Sequence, residues 1–179
     1  MKIQDIMRPC GPEDFEDIYA TINDGAQVYK GVIPADRWHE PYMSHQELSD
    51  ELQNNVLFWG IERDGRIAAV MGIQDKDDVA LIRHAYVQNV LRRQGLGSRL
   101  LKHLEAKSSK PILIGTWADA RWAVSFYQKH GYSILNKKNT VHLLRKYWSI
   151  PQRQVDTSVV LADPRWFQSA ISIDDTPDR

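Results

Sequence analysis

The chain has 179 residues, 42% hydrophobic and 26% charged, the proportions of a globular protein with a sizeable core and a length that suits one domain. Lys plus Arg and Asp plus Glu stand at 23 each, and the resulting net charge of +0 excludes the basic excess of a general nucleic-acid binder. The single cysteine, Cys10, excludes an internal disulfide framework and suits a reducing cytosol, and no stretch approaches the roughly 18 apolar residues of a membrane span.

"KIQDIMRP" alternates weakly as a strand, and Asp5, Arg8 and the acids after them break any signal-peptide core. "GPEDFEDIYATINDGAQVY" opens on Pro12, Glu13 and Asp14 and carries Phe15, Ile18, Tyr19 and Ile22 on one face, which predicts a helix. "KGVIPADRWHEPYM", punctuated by Gly31, Pro34 and Pro41, reads as a loop. "SHQELSDELQ" sets Ser44 three residues before Glu47, the capping-box spacing of a second helix. Two β-rich runs split by Asp64-Gly65 predict a hairpin. "DDVALIRHAYVQ" is a further strand, and a helix follows from Leu96. "KPILIGTWA" reads as a buried strand, and "DARWAVSFYQKHGY" as a helix closed by Gly131. "GYSILNKK" and "QVDTSVVLA" are two late strands, with a short helix in "VHLLRKYWSIP" stopped before Pro151. The end turns polar and acidic, with disorder expected in its last half-dozen residues.

The helix from Leu96 begins against the rules. Its first turn holds or adjoins Gly95 and Gly97, each costing about 1 kcal/mol in a helix relative to Ala. Arg92, Arg93 and Arg99 crowd the end that already carries roughly half a positive charge. A bound anion reverses each of these costs. Free N–H groups and the dipole favour negative charge there, glycines let the anion approach the backbone, and arginines add charged hydrogen bonds. Neither the Walker pattern nor the dinucleotide fingerprint is present, since the residue three after Gly97 is Leu100.

Arg92-x-x-Gly95-x-Gly97, directly after a strand and opening a helix, resembles the acetyl-CoA motif of the GNAT acyltransferases, Gln/Arg-x-x-Gly-x-Gly/Ala. Val87 precedes Arg92 by five residues, as the end of that family's fourth strand does. "WAVSFYQKHGY" resembles the family's A-x-x-x-Y-x-x-x-G-F/Y run, and the likeness extends over about residues 2 to 162. The resemblance implies an α/β (α+β) domain over 1–165, with a mixed sheet of about six to seven strands and helices on both faces, and a tail over 166–179. It implies acetyl-CoA as co-substrate, held by Tyr86, Val87, Arg92, Arg93, Gln94, Gly95, Leu96, Gly97, Ser98, Ala120, Ala123 and Phe126. Where family members often carry Asn, seven residues before the tyrosine, this chain has Ala120.

The resemblance further implies N-acetyl transfer by direct attack of an amine on the thioester, in the cytoplasm. Neither a metal nor a nucleic acid nor a membrane is expected as a partner, and there is room for a homodimer. Tyr127, four residues after Ala123, is the expected acid for the leaving thiolate, against a structural role for a buried phenol. A backbone N–H near Val87 is the implied oxyanion donor. At the places where some members carry a glutamate base stand Leu81 and Gly115. His84 is the substitute base, although strand alternation sets it opposite Arg83, Ala85 and Val87 unless a bulge intervenes; Asp119 is an outsider. Tyr29, Trp38, Tyr42 and Trp117 are the expected acceptor-site residues, with His39 beside them, against a core role for each. The acceptor expected is a small-molecule amine. The rivals are a protein amine, a non-catalytic acyl-CoA-binding module and a structural domain.

Overall fold

The computed structural model describes residues 5–174 of the 179. Its strands are β1 (Ile6–Pro9), β2 (Val56–Arg63), β3 (Arg66–Asp75), β4 (Ala80–Val87), β5 (Ile112–Trp117), β6 (Ser133–Ile134) and β7 (Ser158–Ala162). Its helices are α1 (Phe15–Gly25), α2 (His45–Gln53), α3 (Leu96–Lys107), α4 (Arg121–Lys129), α5 (Lys137–Tyr147), α6 (Gln152–Asp156) and α7 (Pro164–Asp174). The strands make a seven-stranded mixed sheet in the order β1-β2-β3-β4-β5-β7-β6. The chain divides into two compact units, the first running to Asp75 and again over Ile82–Lys107, the second comprising Lys76–Leu81 and the residues from Ser108 onward. Strand β4 thus begins in the second unit and ends in the first.

In the first unit the Asp64-Gly65 hairpin forms as the sequence predicts. Both residues have positive φ, 52° and 75°, the type I′ geometry that matches the twist of β2 and β3. β1 pairs antiparallel with β2 from Ile6↔Glu62 to Pro9↔Trp59. The capping box forms too: Glu47 N–H donates to Ser44 Oγ at 3.1 Å, and Ser44 N–H to Glu47 Oε2 at 2.7 Å. Helix α1 packs on β3 and α2 on β2, closing a core of Ile18, Ile22, Met43, Leu48, Val56, Phe58, Ile67 and Val70. Helix α3 packs on β2 and β3 through Leu96, Leu100, Leu101 and Leu104, each at most 2% exposed. Each such leucine contributes about 1.5–3 kcal/mol by leaving water, and together they outweigh the glycines of the first turn.

In the second unit β5 and β7 pair antiparallel from Leu113↔Ala162 to Trp117↔Ser158, and β6 pairs with β7. Val79, Leu81, Leu113, Leu135, Leu143, Leu144, Tyr147, Val155 and Val160 form its core. The "GYSILNKK" strand is shorter than the sequence suggests. Asn136 accepts from Asn139 N–H at 2.9 Å and caps α5, so the chain turns helical where a strand would continue. The following helix is a full Lys137–Tyr147, and α6 occupies "QRQVD" before β7. Helix α7 covers the start of the segment expected as a tail. The disorder expected at the very end, and Lys2 to Gln4 of the predicted first strand, fall largely on residues outside those described.

Candidate active site

The end of β4 and the start of α3 are tied down by the first unit around them. Gly25, last in α1, lies so close to β4 that a Cβ there would stand 3.0 Å from Val87 O and from Tyr86 Cβ. Asn89 N–H donates to Asp24 Oδ2 at 2.6 Å, anchoring the turn that leaves the strand. Arg63, at the end of β2, donates through Nη1 to Gln94 Oε1 at 2.7 Å and through Nε to Asp5 Oδ1 at 2.7 Å. Asp5 also takes Arg99 Nη1, and the Arg63 guanidinium, opposed by desolvation, holds its carboxyl below the usual aspartate value.

Between these anchors the loop Arg92–Ser98 has the form of an anion cradle. Arg93 and Gly95 take positive φ, 63° and 79°, and nothing lies within 4 Å of where a Gly95 Cβ would stand. The first helical bond from this loop is Arg99 N–H to Gly95 O at 3.0 Å, so Leu96, Gly97 and Ser98 offer N–H groups with no carbonyl ahead of them in the helix. No acid stands in that first turn, and Arg92 and Arg93 are exposed. Leu96 turns its side chain into the core, leaving its backbone to the loop. These residues fit a diphosphate: open space, donors and positive charge coincide.

The predicted acceptor-site aromatics of this unit come together. Tyr42 lies with its ring centroid 5.7 Å from Tyr29, 5.7 Å from Trp38, 6.3 Å from His39 and 6.5 Å from Tyr86. Tyr86 meets Tyr29 edge-on at 6.2 Å. Tyr86, which the sequence suggests only for the co-substrate, is thus also the strand-borne wall of an aromatic group.

His84 differs from the strand-alternation expectation. Its φ is +51°, a left-handed kink inside β4 that no periodicity announces. Consecutive residues therefore reach one carboxylate: Arg83 Nη2 lies 2.7 Å from Glu51 Oε1, and His84 Nε2 lies 3.2 Å from Glu51 Oε2. Burial pushes Glu51 up, but the His84 contact and the Arg83 charge outweigh it and hold the carboxyl below its ordinary value. Glu51, on α2, escaped sequence reasoning because nothing local links it to a strand 33 residues away. The places without a glutamate are explained: Leu81 is fully buried, and any side chain at Gly115 would begin 3.2 Å from Trp148.

In the second unit, Trp117 ends β5 at 6% exposure, and Ala120, fully buried, caps α4. Tyr127 is 6% exposed, with Phe126 edge-on at 5.1 Å and Tyr132 at 6.0 Å. Ala123 and Phe126 are half-buried on the same helix, and His130 closes on Phe126 O at 2.7 Å. Asp119 is exposed. Burial, with Asp14 beside it, pushes the Cys10 thiol up to about 12, away from the reactive thiolate form. Among the described residues no helix is long and apolar enough to cross a membrane, and no group of three or more His, Cys, Asp or Glu could hold a metal ion.

A family model described as an acetyltransferase (GNAT) domain matches residues 21–143. No curated protein matches the chain. Among solved structures the chain resembles the PaiA N-acetyltransferase of Thermoplasma acidophilum in complex with coenzyme A, at 16% identity and TM-score 0.66, covering 90% of this chain and 99% of that one. It also resembles a GNAT-family acetyltransferase of Staphylococcus aureus at 14% identity and TM-score 0.65, covering 89% and 98%. The ribosomal-protein-S18-alanine N-acetyltransferase of Escherichia coli is similar at 19% identity and TM-score 0.62, covering 90% and 94%. At these identities the likeness is one of fold.

Proposed function

Because this chain belongs to the GNAT acetyltransferase family, whose enzymes use acetyl-CoA as co-substrate, we propose that it is an N-acetyltransferase whose acceptor is a small primary amine. Acetyl-CoA supplies the thioester. The loop Arg92–Ser98 takes its pyrophosphate on the α3 N–H groups, Arg92 and Arg93, and Tyr86 and Val87 at the end of β4 serve the rest of the co-substrate.

The observation that carries the acceptor reading is the joined group of Tyr29, Trp38, Tyr42 and Tyr86. Ring faces attract an ammonium by about 0.5–1 kcal/mol each when exposed and about 2 when desolvated. Such a wall holds the amine, and the loop Tyr29 to Met43 that carries it has no consecutive acidic run to draw in a basic protein tail.

The reaction needs a neutral amine, an oxyanion donor and a proton for sulfur. His84 takes the proton of the incoming ammonium. The nitrogen attacks the carbonyl carbon, and the oxygen's charge falls on the N–H near Val87. As the C–S bond breaks, the Tyr127 hydroxyl gives its proton to sulfur and regains one from the acylated nitrogen. A free phenol near 10 and a thiol near 8.5 make that transfer uphill by about 2 kcal/mol, within reach of a catalysed barrier.

Coenzyme A release measured against amino acids, polyamines, aminoglycosides and peptides tests the acceptor. A small amine as the productive partner is the expected result. A peptide N-terminus or protein lysine as the sole acceptor overturns it.

A further inference from the structure

We propose that Glu51 is the positioning residue of the base, fixing the His84 imidazole in the tautomer that leaves Nδ1 to accept the proton; this rests on the reading of His84 as the base. Glu51 and His84 have side chains only 21% and 17% exposed. Glu51 Oε2 and His84 Nε2 face each other 3.2 Å apart as an ion-pair contact, and neither atom makes an aligned hydrogen bond among the described residues. Burying a carboxylate oxygen and a ring nitrogen without partners is costly, so each answers the other. A carboxylate facing Nε2 keeps a proton there. In the neutral ring that leaves the lone pair on Nδ1.

The carboxylate is itself held. Arg83 donates through Nη2 to Glu51 Oε1 at 2.7 Å and through Nη1 to Gln74 Oε1 at 3.0 Å. Gln74 Nε2 donates to Asn54 O, beyond the end of α2, at 2.8 Å. On its other side the imidazole stacks on Phe58, centroids 6.0 Å apart. Among the described residues, the charged groups set against His84 are Glu51 from α2 and, through that carboxylate, Arg83 from its own strand. The left-handed φ at His84 is what makes the pairing possible, since a straight strand would send residues 83 and 84 to opposite faces. The positive φ of a non-glycine residue is itself costly, and its presence at this position suits a site where backbone strain serves function.

The test has two arms. Long-range proton–nitrogen NMR of the whole protein, with the His84 signal assigned by its loss in His84→Gln, reads the tautomer without any change at Glu51. The expected neutral form carries its proton on Nε2, and an Nδ1-protonated ring overturns the proposal. In the second arm kcat/KM against pH is compared for wild type, His84→Gln and Glu51→Gln, with folding checked by thermal melting. Glu51→Gln is expected to lower kcat roughly tenfold or more, leave acetyl-CoA affinity unchanged and displace the ascending limb of the profile. A merely structural anchor between α2 and β4 would lower the melting temperature and leave the limb in place, which overturns the proposal. If His84→Gln itself keeps the limb, the base reading falls and this proposal with it. If His84→Gln removes the limb while Glu51→Gln keeps it, only the role of Glu51 falls.

Discussion

Asp24 and Asn89 hold each other by two hydrogen bonds, Asn89 N–H to Asp24 Oδ2 at 2.6 Å and Asn89 Nδ2 to Asp24 O at 2.5 Å. The next residue, Gly25, lies so close to Val87 and Tyr86 that a Cβ there would stand 3.0 Å from each, tighter than ordinary contact. The end of α1 therefore sets where β4 ends, and with it the entry to the loop of α3. Gly25→Ala is expected to cost about 1–3 kcal/mol of stability through overpacking. At about 2–4 °C per kcal/mol for a chain of this size, thermal melting resolves it. Calorimetry should show weaker acetyl-CoA binding as well. Wild-type values for both would mean that α1 does not govern the loop.

Gly97→Asp puts a side chain and a negative charge among the N–H groups of the α3 first turn. An acid there suits the bare helix, whose dipole it complements, so stability should hold or rise slightly. Acetyl-CoA affinity should fall, because the carboxylate occupies the ground of the pyrophosphate. Undiminished affinity by calorimetry would place the co-substrate elsewhere.

Tyr127→Phe keeps the ring that packs on Phe126 and Tyr132 and removes the proton. Turnover on a productive amine should fall 10²–10⁴-fold, the usual range for loss of a general acid, with acetyl-CoA binding preserved. Wild-type turnover would assign Tyr127 to packing alone.

Asp14 governs the acid side of stability. Two hydrogen bonds from the Arg8 guanidinium, at 2.7 and 2.8 Å, hold its carboxyl below the usual value against the opposing effect of burial, and Gly11 N–H adds a third at 2.8 Å. A carboxyl lowered by folding contributes stability that is complete above its unfolded value, about 3.9, and is lost as pH falls through the lower folded one. Asp14→Asn should be less stable than wild type near neutral pH, and the gap should narrow below about pH 4. Urea unfolding at several pH values reads the gap; a constant difference would show that the charge of Asp14 is not what stabilises.

The elements with strong local chemistry were readable from the sequence. Asp64-Gly65 demands positive φ at both positions, and Ser44 with Glu47 closes on itself within one turn, so neither depends on distant contacts. The odd helix start was legible for the opposite reason, as a local departure from helix rules: α3 opens at Leu96 directly after Gly95 at positive φ, with no acid in its first turn. What escaped depended on tertiary context. Helix α7 grows from a stretch whose far end turns polar and acidic, its start held by Trp166 and Phe167 on the second unit's core, and Asn136 caps a helix where an extended reading was equally good. The kink at His84 has no sequence signature, because a non-glycine residue in that conformation is held by its surroundings. Glu51 became visible only when α2 was set beside β4.

Both outer strands of the sheet are brief among the described residues: β1 has four residues and ends in Pro9, and β6 has two. An edge of that length exposes few unpaired backbone groups, and proline lacks the N–H to donate at all. A second chain laying a strand alongside would find almost no ladder to extend. Among the described residues, these two short margins disfavour edge-to-edge stacking of copies, independent of anything the loop of α3 binds.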